Sequence, residues 1–131
     1  MPYYMLFDLY SLSDYALLAL RIIVAIVFFS SGKGHIQKPK ERAESIGMSP
    51  TFTLLLGIAE VTGAISVAGG IYIQIGAALL ICTMLGAIYK KIFVWKTGFY
   101  AEKGFGWHYD LILLAANLVF ISNPGDLLIY P

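Results

Sequence analysis

The chain has 131 residues, of which 59% are hydrophobic and 13% are charged, and its formal net charge at pH 7 is +1. The mean hydropathy is +0.76. So much apolar surface cannot be hidden in the core of a small water-soluble domain, so the composition predicts an integral membrane protein. So small a net charge also gives no basic footprint for a nucleic acid, and none is expected as a partner.

Four apolar stretches predict four membrane-spanning helices. They cover residues 14–31, 52–68, 71–92 and 107–122. A helix needs roughly 17 to 25 residues to cross a hydrocarbon layer about 30 Å thick, and the last stretch reaches that length only with flanking aromatic residues. Backbone groups inside a bilayer must find partners within their own segment, which favours helices. We therefore predict one all-α domain over residues 1–131, an integral membrane four-helix bundle.

Glycine and proline predict how these helices are connected. Gly69 and Gly70 divide the long apolar stretch in two, because glycine enters turn conformations at little steric cost. Between the first two spans, Pro39 suits the first turn of a short helix and Gly47 suits its end. Pro50 then opens the second span. We expect the short helix to lie on the membrane surface.

Lysine and arginine predict the orientation of the bundle. Apart from Arg21, they all lie either between the first and second spans or from the last residues of the third span to the start of the fourth: Lys33, Lys38, Lys40 and Arg42, then Lys90, Lys91, Lys96 and Lys103. The positive-inside rule places both connections in the cytoplasm and both termini on the extracytoplasmic side. The sequence thus predicts a multi-pass protein of a prokaryotic-type plasma membrane.

Arg21 is the one cation inside an apolar stretch, and Glu60 is its expected partner. At 1.5 Å per residue, Arg21 lies about 10 Å below the outer edge and Glu60 about 12 Å above the inner edge. Asn117 of the last span reaches a similar depth. A charged residue at the membrane centre costs about 2.5 to 3.5 kcal/mol, so we expect Arg21, Glu60 and Asn117 to meet in a polar core.

Two roles for this polar core stay open. It is either a ligand-binding site or a structural staple that fixes the register of the helices. Gly57 and Gly63 flank Glu60 by one helical turn on either side, which indicates that the carboxylate sits in a packed seam between helices.

A second polar cluster is expected at the cytoplasmic edge, where the first span ends and the last begins. It comprises His35, His108 and Asp110. The two histidines are far apart in sequence and do not have a ligand spacing, so no metal site is predicted. The favoured interpretation is two solvated histidines at the membrane interface, with a haem or metal ligand as the alternative.

The order of these motifs resembles the DoxX family of small four-helix membrane proteins. Arg21 and Gly32 match its first helix, the turn "SIGMSP" follows, and the G-x-x-E-x-x-G of the second helix is matched by Gly57, Glu60 and Gly63. The segment "GFGWHYDLILLAAN" opens a matching last helix. The resemblance extends from Leu17 to Pro124.

The resemblance implies a membrane protein associated with oxidoreductase systems, among them the membrane subunits of thiosulfate:quinone oxidoreductase. No flavin or haem motif is present, so no intrinsic cofactor is expected, and electrons have to come from a bound quinone or an oxidoreductase partner. The leading hypothesis is a redox-associated subunit that binds a quinone-like or other apolar small molecule inside the bundle.

Two alternatives stay open. One is a non-enzymatic scaffold or assembly factor that recruits soluble partners through its basic cytoplasmic loops. The other, less favoured, is a transporter, for which the chain has to form a homo-oligomer to make a path.

Overall fold

The computed structural model describes residues 6–130, and within them the chain is helical. A short 3₁₀ turn at Tyr10–Leu12 precedes five α-helices: α1 (Ser13–Gln37), α2 (Pro39–Ile46), α3 (Pro50–Gly69), α4 (Ile73–Tyr89) and α5 (Trp107–Ser122). A π-helical turn at Lys90–Val94 continues α4. The described residues contain no β-strand beyond one isolated bridge between Ile71 and Tyr130.

Three helical segments are long and apolar enough to cross a membrane. They are Tyr10–Gln37, Pro50–Gly69 and Ile73–Val94, while α5 is equally apolar but has only 16 residues. Large apolar side chains on the outward faces are exposed, among them Ile23, Leu55 and Ile75. An apolar surface this extensive is typical of helices that contact lipid tails.

The helices pack in the order α1, α3, α4, α5, and α5 contacts α1 only lightly. Between them lies a core made mainly of Val24, Phe28, Val67, Leu80, Met84, Leu113 and Phe120. The closest approach of α1 and α3 is at two glycines. A Cβ at Gly32 would lie 2.7 Å from the carbonyl oxygen of Gly57, and a Cβ at Gly57 would lie 2.8 Å from that of Gly32. Only glycine fits at this crossing, in line with the packed seam expected around Glu60.

One end of the bundle, here called the turn end, is formed by the α3–α4 connection and the C-terminal segment. Gly70 ends α3 with a φ of +68°, the left-handed conformation that favours glycine. The backbone N–H groups of Ile129 and Tyr130 donate to the carbonyl oxygens of Gly69 and Gly70, at 3.0 and 3.1 Å. The predicted turn is confirmed, and the C-terminal segment covers it.

The opposite end, here called the loop end, is formed by α2 and by residues 95–106. Pro39 begins α2, and Gly47 follows it with a φ of +70°. The Ser49 hydroxyl then caps α3 by accepting from the N–H of Phe52 at 3.1 Å. The short helix predicted between the first two spans is therefore confirmed. All the cations of both predicted basic connections belong to this end or to the helix turns beside it.

Candidate functional site

Arg21 is fully buried and hydrogen-bonded to four backbone carbonyl groups. Its Nε donates to Val67 O at 2.8 Å, and one terminal nitrogen donates to Ala68 O at 3.2 Å. The other terminal nitrogen donates to Leu127 O at 2.8 Å and to Pro124 O at 3.4 Å. The guanidinium thus joins the last turn of α3 to the C-terminal segment.

The last turn of α3 suits a cation. Carbonyl groups at the end of a helix have no partner within the helix, and the helix dipole makes this end negative. The planar fork of a guanidinium presents five N–H donors in fixed directions, which lets one side chain serve two segments at once. Arg21 therefore has a structural role at the turn end.

The predicted pairing of Arg21 with Glu60 is wrong. Arg21 lies level with Val67, and Glu60 precedes Val67 by seven positions on α3, a separation of about 10 Å along the helix. Depth estimates from the helix ends placed both side chains in the central third of the membrane. They did not fix which turn of α3 faces Arg21, and the carbonyl groups at the end of α3 take the guanidinium instead.

Asn117 does not complete the polar core either. It is fully buried on α5, and its side-chain nitrogen donates to the carbonyl oxygen of Leu113, one turn earlier on the same helix, at 2.8 Å. Its Oδ1 has no hydrogen-bond partner within residues 6–130. The three residues predicted to meet are all buried, but within residues 6–130 no hydrogen bond or ion pair joins any two of them.

Glu60 instead lies beside a cavity at the loop end of the bundle. The cavity has a volume of about 310 Å³ and a largely apolar lining, contributed by all four long helices. Its apolar walls include Phe28, Phe52, Leu56, Met84, Ala87 and Leu113, and its polar lining includes Ser31, His35, Glu60, Lys91, Tyr109 and Asp110. The structure therefore brings Glu60 together with two of the three residues predicted at the cytoplasmic edge.

The cavity exists because α3 and α4 are close at one end and separated at the other. Near the turn end they touch through two glycines: a Cβ at Gly63 would lie 2.7 Å from Leu80, and a Cβ at Gly76 would collide with Ser66. Toward the loop end, Leu56 of α3 and Ala87 of α4 line the cavity. Close glycine contacts between α3 and α4 at only one end leave room between the two helices at the other.

Two buried polar atoms at the cavity have neither a hydrogen bond nor an ion pair in the described part of the chain. They are Oε2 of Glu60 and Nδ1 of His35, whose side chains are 4% and 6% exposed. Both residues flank the crossing of α1 and α3: a Cβ at Gly32 would meet the Cβ of Glu60, and one at Gly57 would meet the Cβ of His35. A buried polar atom without a partner costs about 1 to 3 kcal/mol, so its retention points to a ligand or to solvent.

Asp110 has a partner that the sequence did not reveal. Its Oδ2 lies 2.7 Å from Nζ of Lys91, and both side chains are largely buried. Lys91 belongs to the π-helical turn after α4, and Asp110 to the first turn of α5. The pair joins these two helices beside the cavity. Lys90 and Lys91 are adjacent and both line the cavity, and the sequence gave no signal as to which of them would pair with Asp110.

His108 does not join the predicted cluster with His35 and Asp110. Its Nδ1 is hydrogen-bonded to the carbonyl oxygen of Phe99 at 2.7 Å, and its ring packs against Tyr100. His108 therefore fixes the loop of residues 95–106 against the start of α5 and lies away from the cavity lining. The sequence placed both histidines at the same end of the bundle but not on the faces they take.

A cavity with these walls is suited to an apolar molecule that carries one hydrogen-bonding head group. Ligand pockets are mostly apolar with a few polar groups that orient the ligand. Here Glu60 and His35 supply the unsatisfied polar atoms, and Lys91 and Asp110 neutralise each other.

A comparison with family models matches residues 16–95, more than half of the chain, to the family described as DoxX. No curated protein and no solved structure was found to match the chain. The matched segment contains all but the first three residues of α1, and the whole of α2, α3, α4 and the π-helical turn. The chain is a membrane protein that belongs to the DoxX family.

Proposed function

We propose that the protein is a redox-associated membrane subunit that binds a quinone-like molecule in the loop-end cavity. The observation that carries the proposal is the pair of buried, unpartnered atoms, Glu60 Oε2 and His35 Nδ1, at the wall of an otherwise apolar cavity. The proposed site differs from the one expected from the sequence, because Arg21 is engaged elsewhere and Glu60 is joined by His35.

The size and chemistry of the cavity support this proposal. A volume of about 310 Å³ is at the lower end of the range found for small-molecule pockets, roughly 300 to 1,000 Å³. It suits a single substituted ring better than a fused polycyclic cofactor. A quinone carbonyl needs a donor, and a quinol hydroxyl needs an acceptor. A carboxyl group and an imidazole can each serve as either, and each can hold or release a proton.

Membrane topology is part of the same proposal. We take all four apolar helices as membrane-spanning, with the loop end in the cytoplasm and both termini on the extracytoplasmic side of a prokaryotic-type plasma membrane. The exposed cations Lys33, Lys38, Lys40 and Lys103 at the loop end support this orientation. The α5 helix rises about 24 Å over its 16 residues, short of a bilayer of about 30 Å, so its flanking residues complete the span.

A second candidate function, that of a scaffold, is supported by the cations on α2 and at the residue just before it. Lys38, Lys40 and Arg42 are exposed and form no ion pair within residues 6–130. A soluble oxidoreductase with an acidic face is the partner that these charges would attract. Reversing all three to glutamate should abolish retention of such a partner in pull-downs from the native membrane, and retention that survives the reversal would contradict this candidate.

The quinone proposal is tested by measuring quinone retained by the purified protein. Wild type and Glu60→Leu are reconstituted in lipid nanodiscs with a benzoquinone, washed, extracted and assayed by chromatography. Glu44→Leu is the matched control, because Glu44 is an exposed glutamate on α2. We expect Glu60→Leu and His35→Leu each to lower retention about tenfold, because each loses one hydrogen bond to the ligand, with Glu44→Leu unchanged. Equal retention by Glu60→Leu and wild type would overturn the proposal.

A further inference from the structure

The residues that line the cavity differ in exposure in a systematic way. Glu60, His35 and Asp110 are the buried polar part of the lining, and of these Asp110 is already paired with Lys91. The exposed part lies on α3, on α4 and just after the π-helical turn, and comprises Phe52, Cys82, Gly86 and Trp95. The lining residues contributed by α1 and α5 are buried or half-buried. The cavity therefore opens on the side where α3 and α4 separate.

This opening runs along the side of the bundle. Cys82 precedes Trp95 by thirteen positions, which corresponds to about 20 Å along the helix axis at 1.5 Å per residue. Cys82 and Gly86 lie well within the segment of α4 that is long and apolar enough to cross a membrane. An opening confined to the loop end would expose neither residue. Hydrocarbon tails, and not water, face this part of α4.

Gly86 marks the middle of the opening. A Cβ built on Gly86 would meet no atom within 4 Å, whereas one built on Gly57 or Gly63 would collide with a neighbour. Gly86 is therefore the one of these three helical glycines that no close packing explains. Because Gly86 has no side chain, no atom of this residue narrows the opening of the cavity at this point.

We infer that the ligand reaches the cavity sideways from the bilayer, through the opening between α3 and α4 rimmed by Phe52, Cys82, Gly86 and Trp95. The ligand class is a membrane-dissolved amphiphile with one small polar head and an apolar tail. The head lies against Glu60 and His35, and the tail extends past Gly86 into the lipid. This inference rests on the proposed function for the identity of the head group.

The orientation of the ligand follows from the difference in burial between the polar inner part of the lining and its apolar, exposed rim. A polar head placed at the rim would contact the apolar side chains of Phe52 and Cys82 and leave the atoms of Glu60 and His35 unpaired. The opposite orientation pairs those atoms and lets the tail stay in hydrocarbon, so no apolar surface is transferred to water. A cavity of about 310 Å³ is too small to enclose a long tail as well as a ring, so the tail has to leave through the opening.

The test compares two benzoquinones that share one ring, one with a decyl tail and one with a methyl group in its place. Binding is followed in nanodiscs by quenching of Trp95 fluorescence, in a Trp107→Phe background that leaves Trp95 as the sole tryptophan. Gly86→Phe places a ring in the opening. Gly86→Ala controls for the loss of a helical glycine, and Leu85→Phe adds the same side chain at the neighbouring exposed position, outside the cavity lining.

We expect Gly86→Phe to weaken binding of the decyl quinone about tenfold or more, with Gly86→Ala and Leu85→Phe close to wild type. The methyl quinone should bind more weakly than the decyl quinone and be less sensitive to Gly86→Phe. Unchanged binding of the decyl quinone to Gly86→Phe, or equal binding of the two quinones to wild type, would overturn the inference.

A decyl phenol, which has a tail and a hydroxyl but no redox chemistry, separates this inference from the proposed function. If wild type binds the phenol, loses it in Gly86→Phe and binds neither quinone, sideways access stands and the quinone function fails. If quinone binding depends on Glu60 but not on Gly86, the function stands and sideways access fails. Absence of binding by all three compounds contradicts both.

Discussion

The guanidinium of Arg21 donates a 2.8 Å hydrogen bond to the carbonyl oxygen of Leu127, across 106 positions of the chain. Together with the bonds to Val67 and Ala68, this contact ties the C-terminal segment to the end of α3. Arg21, a buried charge that the sequence analysis placed in a candidate ligand site, therefore has a structural role. The candidate site lies instead at the opposite end of the bundle, where Glu60 Oε2 and His35 Nδ1 have no hydrogen-bond partner within the described residues.

Substitution of Arg21 should unfold the turn end without altering the cavity. We expect Arg21→Leu to lower the free energy of unfolding by about 3 kcal/mol or more, because several charge-assisted hydrogen bonds are lost and four carbonyl groups are stranded. Arg21→Lys should rescue little, since an ammonium group lacks the planar fork. Thermal unfolding in nanodiscs measures the loss, and hydrogen exchange should show faster exchange at Ile129 and Tyr130.

Asp14→Ala is the control for Arg21, because Asp14 bonds the same segment, at the exposed N–H of Asp126, over 3.1 Å. Its loss should cost no more than about 1 kcal/mol. Quinone retained per folded molecule should be the same in Arg21→Leu as in wild type. A variant of Arg21 that melts like wild type, or that folds normally and retains no quinone, would restore the ligand-site interpretation.

The two glycines Gly57 and Gly86 should respond oppositely to alanine. In Gly57→Ala the new methyl group would press on the carbonyl of Gly32 and on His35, and overpacking of this kind costs about 1 to 3 kcal/mol. In Gly86→Ala it enters open space, and a helix interior gains about 0.5 to 1 kcal/mol when alanine replaces glycine. Melting temperatures of the two variants provide the test, and equal destabilisation would contradict the described packing.

The ion pair of Lys91 and Asp110 should show strong coupling in a double-mutant cycle. Removing one partner leaves a largely buried charge, so Lys91→Met or Asp110→Asn should each cost about 3 to 5 kcal/mol. The double variant should be more stable than the sum of the two losses implies, since no charge is stranded. Additive losses would mean that the two side chains do not meet.

Asn117→Leu should be tolerated. The amide of Asn117 bonds only to Leu113 O on its own helix, and its Oδ1 is unpaired within the described residues. Replacing a buried, half-satisfied amide by an apolar group of similar size is nearly neutral or stabilising. Unfolding measurements should place the variant within about 1 kcal/mol of wild type. A large loss of stability would indicate that Asn117 serves a polar partner after all.

The features that the sequence predicted correctly are local ones. The turn at Gly69 and Gly70, the start of α2 at Pro39 and its end at Gly47 each depend on the conformational limits of one or two residues. The helical class follows from composition and from the need to pair backbone groups in a bilayer. These properties do not depend on how one helix is rotated against another.

The site could not be predicted in the same way, because it depends on rotation and register. Hydropathy gives the depth of Arg21 in the membrane only to within one or two helical turns. An error of that size decides whether the group of α3 that faces Arg21 is the side chain of Glu60 or the carbonyl groups at the end of the helix. The acceptors of Arg21 are main-chain carbonyl groups, which every residue carries and no sequence pattern marks. The pairing of Asp110 with Lys91, and not with the adjacent Lys90, likewise has no mark in the sequence.

The cavity itself left only an indirect trace in the sequence. Gly63 and Gly76 bring α3 and α4 together at one end, and that closeness separates them at the other. The G-x-x-E-x-x-G motif shows that Glu60 lies in a helix seam. It does not show that the seam borders a cavity. Small residues indicate where two helices come close together, and a cavity lies where they do not.

Photo-crosslinking with a tail-bearing azidoquinone tests the central claim most directly. The wild-type protein in nanodiscs is irradiated with the probe and digested, and the labelled peptides are located by mass spectrometry. The account predicts labels at the loop end, on residues such as Leu56, Thr83 and Ala87, and their disappearance in Glu60→Leu and Gly86→Phe. Labels confined to the turn end, near Arg21 or Tyr72, would contradict it.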